Sequence, residues 1–231
     1  MKYIMNHKVT EHFIILSLNP DTGRYQVLGN YLTYGIVGAM LMDLSLAERI
    51  SVAGHTLITG KDMSATGVPA SERMLKTIAE SGRQRNIKTW VRRLGNKSAW
   101  YRKEMQKYLV KEGILKVDNK RFIGIPYKLH YVAKPGFRKN LINRYKDIIL
   151  YEKIPDEAEL MVLGLMFACK MHKVLSNVGP ERRKIRKRLL EITKDNPFAS
   201  DIRTAIIEIQ AAITSGIAAT AAMSASTSVS N

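Results

Sequence analysis

The sequence predicts a mainly α protein, a single helical domain carrying short β-hairpins. Apolar residues recur at helical spacing along most of the chain, as at Ile36, Met40, Leu41 and Leu44. Two stretches, 50–59 and 114–125, instead read as short strands around a turn. The 231 residues, 45% hydrophobic and 25% charged, have ordinary globular proportions and are numerous enough to bury a core.

Residues 10–18 form an apolar helix, stopped by the turn chemistry of Asn19-Pro20-Asp21-Thr22-Gly23. A longer helix covers 31–48, where Gly35 and Gly38 allow close packing. A hairpin follows around Gly54-His55, then a loop at 63–69. Ala70-Ser71 opens a helix to about residue 80, and a short basic helix covers 86–94, ending at Gly95. Ser98 caps the next, with Trp100, Met105, Tyr108 and Leu109 toward the core and Gly113 closing it. The second hairpin has strands at 114–117 and 121–125 about a turn at Asp118-Asn119-Lys120. From Pro135 the pattern is helical, broken at Pro155, around Gly179-Pro180, and at Asn196-Pro197. Residues 158–173 are apolar almost all round, so they predict the buried central helix. An alanine-rich helix from Ile202 to about Met223 comes last. The expected organisation is an N-terminal segment (1–9), one domain (10–223) and a flexible tail (224–231).

The abnormal quantity is charge. Lys and Arg number 37 against 20 Asp and Glu, a net +17, which favours an anionic partner: nucleic acid or a membrane surface. The excess is local. Residues 1–60 are balanced, whereas 73–107 hold eleven bases against two acids, and 182–194 hold seven bases against Glu191. Each block is either a solvated helix face or a surface for phosphate.

Catalytic chemistry is not apparent, and a non-enzymatic role without cofactor or metal is expected. The five histidines lack metal-ligand spacing, so each reads as a surface or partly buried residue. Cys169 lies in the most apolar helix and behaves as a small hydrophobe. Residues 54–62 nearly spell a phosphate loop, but five residues separate Gly54 from Gly60, and Asp62 stands where Ser or Thr should be. The longest apolar run, 160–169, is too short to cross a bilayer. With a single cysteine, the chain is expected in the cytoplasm.

Residues 98–127 admit one reading as a winged helix, a nucleic-acid-binding module whose Arg102, Lys103 and Lys107 would meet DNA. That module needs about half this length and leaves the helices after Pro135 unused.

The whole chain supports another. Residues 11–18 with Asp21-Thr22-Gly23, the stretch 35–50 from Gly35-Ile36-Val37-Gly38 to Glu48-Arg49-Ile50, and Trp90 with Leu94 resemble the Golgi phosphoprotein 3 family. So do Arg102 with 109–115, the apolar helix 160–175 and the closing helix from Ile202. The resemblance covers nearly all of 10–220 and is nearer to the family's bacterial members. It implies a helical domain that binds phosphatidylinositol 4-phosphate at a cytosolic membrane face, as a peripheral membrane protein and not an enzyme. The four headgroup-binding positions it implies fall on Leu28, Val37, Ala99 and Arg102, of which Arg102 alone matches. Tyr25, Tyr31 and Tyr34 are the aromatics near enough to stand in for the absent tryptophan. Arg92, Arg93, Lys97 and Lys103 form the expected supporting basic face, each cation near an anionic surface being worth roughly 1 kcal/mol. In the family a hydrophobic hairpin at this place goes with self-association. Here it carries Phe122, Ile123, Ile125 and Tyr127, which imply a homo-oligomer unless Phe122 and Ile125 pack on the neighbouring helix.

Overall fold

The structure, a computed structural model, describes residues 8–27, 29–53, 56–60, 64–134, 136–194, 207, 211–215 and 218. Three apolar helices form its centre: α1 (Lys8–Ser17), α2 (Gly29–Leu46) and α7 (Glu157–Ala168), which pack on one another pairwise. Each is buried over most of its surface: α2 and α7 because they are apolar on nearly every side, and α1 because its buried Thr10, His12 and Ser17 find hydrogen-bond partners. Gly35 makes the contact between them possible. A Cβ there would lie 2.2 Å from Phe13 Cζ on α1 and 2.9 Å from Cys169 Sγ just beyond α7.

Around this centre, α3 (Pro69–Ala79), α4 (Ile87–Gly95) and α5 (Ser98–Lys111) cover one side of α2. Helix α6 (Phe137–Tyr151) packs on α1, and α9 (Gly179–Lys194) packs on α6 and α7. Strands β1 (Ile50–Ala53) and β2 (Thr56–Thr59) form the first hairpin, and β4 (Leu115–Phe122) with β5 (Ile125–Val132) form the second. The mainly α class with short hairpins is therefore the observed one.

Local chemistry explains several boundaries. Asn86 caps α4 by accepting the Thr89 N–H at 2.8 Å. Asp156 and Glu159 form a reciprocal capping box at the start of α7. Pro180 occupies the first turn of α9, where its missing N–H costs nothing.

Other boundaries differ from expectation. Ser98 does not cap α5; it is the first helical residue, and Lys97 at the cap position makes no side-chain bond. The second hairpin turns at Ile123-Gly124, both at positive φ (48° and 78°), and extends to Val132. Asp118, Asn119 and Lys120 lie inside β4, where cross-strand pairing overrides their turn preference. The two-residue strand β3 (Arg85–Asn86) adds to β2 and was not foreseen. The helix expected over 158–173 ends at Ala168; Lys170 turns left-handed (φ 54°) before the short α8 (His172–Leu175). His12 is more deeply buried than the surface or partly buried place expected, with Nδ1 at 2.8 Å from the Tyr145 hydroxyl. Of the last expected helix only part falls within the described residues: 211–215 are helical, with Ala212 and Ile213 buried. Residues 1–7, Gly54-His55 and the tail at 224–231 lie outside the described residues.

Candidate functional site

Arg102 projects from the second turn of α5 toward the turn that joins α1 to α2. That turn is held rigidly. Asn19 Oδ1 accepts the backbone N–H groups of Asp21 and Thr22, both at 2.9 Å, and the Asn19 N–H donates to Arg24 O at 2.8 Å. Gly23 sits at φ +63°, and a Cβ there would come 2.7 Å from the Tyr131 ring of β5. The His130 N–H reaches Gly23 O at 3.4 Å, so β5 buttresses the turn from behind.

Tyr25 leaves this turn to meet α5. The Arg102 guanidinium lies 5.6 Å from the centre of the Tyr25 ring, a cation–π contact. One helical turn on, Gln106 Nε2 donates to the Tyr25 hydroxyl at 2.9 Å. Burial pushes the Tyr25 phenol far above its ordinary range, against the opposing pull of Arg102 and Gln106, so the ring stays uncharged. His130 adjoins the group; burial, Lys128 and Arg102 all push its pKa down, which leaves it neutral at pH 7. Among the described residues no carboxylate pairs with Arg102.

The arrangement is a half-buried guanidinium set over an aromatic face, bordered by a neutral imidazole and paired with no carboxylate among the described residues. A guanidinium fork of this kind suits a phosphate or another oxyanion.

Among the remaining site residues, Val37 is fully buried in α2, out of reach of solvent. Ala99 is exposed, three residues before Arg102 and on the same face of α5. Leu28 lies outside the described residues. Of the three candidate aromatics, Tyr25 is the one that meets Arg102. Tyr34 is buried against Gly95, and Tyr31 lies beneath Lys170, 5.4 Å from ring centre to Nζ. Arg92, Arg93, Lys97 and Lys103 are all exposed, and among the described residues none pairs with a carboxylate. Arg92 and Arg93 occupy the last turn of α4, where cations also favour the helix dipole. Arg93 leans toward the Trp90 ring at 5.8 Å.

Gln106 and His130 were not foreseen. Gln106 could have been found one turn beyond Arg102, but nothing local marks His130, which arrives by strand pairing.

The second hairpin presents its apolar side chains to solvent: Phe122 is 67% exposed, Ile123 85%, Ile125 68% and Tyr127 36%. Phe122 and Ile125 therefore do not pack on a neighbouring helix. Among the described residues, no helix is long and apolar enough to cross a membrane.

The model of one protein family, Golgi phosphoprotein 3 (GPP34), matches residues 9–209. The chain belongs to the Golgi phosphoprotein 3 family. No curated protein matches the chain. The family match takes in every described element from α1 to α9 save Lys8 at its start, the helices after Pro135 as well as the basic helices before it. At the positions that the resemblance implied, this Golgi phosphoprotein 3 family member has one charged side chain, Arg102, and the uncharged Val37 and Ala99.

Proposed function

We propose that the protein is a peripheral membrane-binding protein that recognises anionic lipid through Arg102 and its surroundings, with phosphatidylinositol 4-phosphate as the first headgroup to test. The observation that carries this reading is the Arg102–Tyr25 contact: a half-buried guanidinium, held in place and free of any carboxylate among the described residues. Family membership supports it. Arg92, Arg93, Lys97 and Lys103 add charge that draws the domain to an anionic cytosolic surface. The role is binding rather than catalysis, and the exposed hairpin residues Phe122, Ile123, Ile125 and Tyr127 are the surface by which two copies associate.

A DNA-binding winged helix is the weaker reading. Of the three side chains it would use, Arg102 is turned over Tyr25 and Lys107 is bonded to Glu104 at 2.7 Å.

Co-sedimentation with vesicles tests the proposal. Vesicles containing phosphatidylinositol 4-phosphate should bind the protein, and neutral phosphatidylcholine vesicles should not. Arg102→Ala should weaken binding by about tenfold or more, the value of a charge-assisted fork. Lys103→Ala, one residue along and exposed, should cost only about fivefold, the value of a general surface charge. Equal losses at the two positions would remove the headgroup site, and a site-specific DNA footprint without vesicle binding would favour the winged helix.

A further inference from the structure

The second basic block is divided by the fold into two unlike faces. On one, α9 is neutralised: Arg188 pairs with Glu152 at 2.6 Å and with Glu191 at 2.8 Å, and Glu181 is taken by Lys146 at 2.9 Å. On the other, Arg182 and Arg186 stand one helical turn apart. The segment that follows α7 carries Lys170, His172 and Lys173 and leads into α8. Helix α8, which His172 begins, packs directly on α9. Among the described residues none of these four cations pairs with a carboxylate.

We propose that Lys170, His172, Lys173, Arg182 and Arg186 form a phosphate-binding site that takes a phosphomonoester dianion, separate from the Arg102 group.

The position of Lys170 supports it. Lys170 occupies the left-handed conformation (φ 54°) just past the end of α7, a place where glycine is the usual residue. Its ammonium lies over the Tyr31 ring at 5.4 Å, a cation–π contact that holds the side chain. A lysine kept in a conformation that disfavours side chains is consistent with a function for that side chain. The environment of His172 supports it too. Burial lowers its pKa first, and then Arg186, Lys173, Arg182 and Lys170 in turn, with no carboxylate opposing them. The charges that act most on His172 are all cations, while the Glu181 carboxylate where α8 meets α9 is held by Lys146 and the Ser176 hydroxyl. Two guanidinium forks and two ammonium groups exceed what one carboxylate can satisfy, whereas a phosphomonoester offers three acceptor oxygens and a double charge. The dianion reverses the field at His172, so binding raises the imidazole pKa and draws in a proton.

The same chemistry is offered by free phosphate and by a lipid headgroup ending in a phosphomonoester. NMR of the His172 imidazole in the full chain tests the site, with His130 reporting separately on the Arg102 group. Inorganic phosphate at roughly 10 mM, above the millimolar affinity of a few solvated contacts, should shift His172 saturably and raise its pKa. Chloride at equal ionic strength should not. Arg182→Ala with Arg186→Ala should weaken the response at least tenfold, and Arg102→Ala should leave it intact while altering His130. Vesicles then identify the source. A preference for phosphatidic acid over phosphatidylserine at matched charge, lost in the double variant, assigns the lipid; a phosphate response without that preference assigns the free ion. A phosphate response no larger than that to chloride, or one retained by the double variant, overturns the site whether or not Arg102 binds lipid.

Discussion

Thr10 gives both its backbone N–H (3.0 Å) and its hydroxyl (2.5 Å) to one carboxylate oxygen of Asp43, 33 residues away. The other oxygen accepts the Val9 N–H at 2.9 Å. A fully buried carboxylate on α2 thus takes up donors in the first turn of α1, where the helix dipole also favours negative charge. The residue that ends one helix's orphan donors comes from the middle of another.

Asp43→Ala should therefore destabilise the domain by about 3 kcal/mol, since a lost cap and buried unpaired donors act together. Asp43→Asn, which keeps one acceptor, should cost less. Chemical denaturation of the three proteins measures both. A loss below about 1 kcal/mol for Asp43→Ala would mean that water reaches the first turn of α1.

The pH dependence of stability should expose two opposed groups on α1. Burial raises Asp43 to about 7 from 3.8, so its contribution is full below pH 3.8 and is lost as the pH rises through about 7. Burial lowers His12 to about 4 from 6.5, so its contribution is full above pH 6.5 and is lost as the pH falls through about 4. Each is on the order of 3 kcal/mol over its interval, and between pH 4 and 6.5 they largely cancel. Relative to the parent, Asp43→Asn should gain stability from pH 4.5 to 6.5, and His12→Gln should lose it. Parallel curves for all three proteins would refute the assignment.

Gly35→Ala should destabilise by about 3 kcal/mol, because the added methyl meets the Phe13 ring and the Cys169 sulfur at once. Phe13→Leu in the same chain should restore part of the loss by moving the nearest obstacle. Thermal unfolding of the single and double variants gives the coupling directly.

Ile123 holds φ 48° at the hairpin tip, a conformation that β-branched residues resist and Asn-Gly turns prefer. Ile123→Asn should raise stability by roughly 1 kcal/mol while removing the most exposed apolar side chain of the hairpin. If the hairpin joins two copies, sedimentation should show weaker association in this more stable variant. Unchanged association would place the contact elsewhere.

Much of the fold was legible because its signals are local. Asn19 to Gly23 stop α1 within their own turn, Gly95 and Gly113 fall at helix ends, and the apolar period of α2 spans the whole helix. The misplaced turn at 118–120 shows the limit. Asp118 and Asn119 favour a turn by themselves, but pairing with Leu129 and Lys128 carries them into a strand and leaves Ile123-Gly124 to reverse the chain. The break at Lys170 was likewise invisible in an apolar run that reads as one helix.

What the sequence by itself determined was the helical class, the order of most elements, the concentration of charge in two blocks, and the family. The tertiary structure alone decided which groups surround those charges. Tyr25 comes from a turn, Gln106 from α5 and His130 from β5, while His172 on α8 lies in the field of Lys170 before it and Arg186 on α9. Helical period and turn chemistry act over a few residues and are written in neighbouring positions. Electrostatic and stacking contacts act over a few ångströms of space, and only folding brings positions so far apart in the chain within that reach.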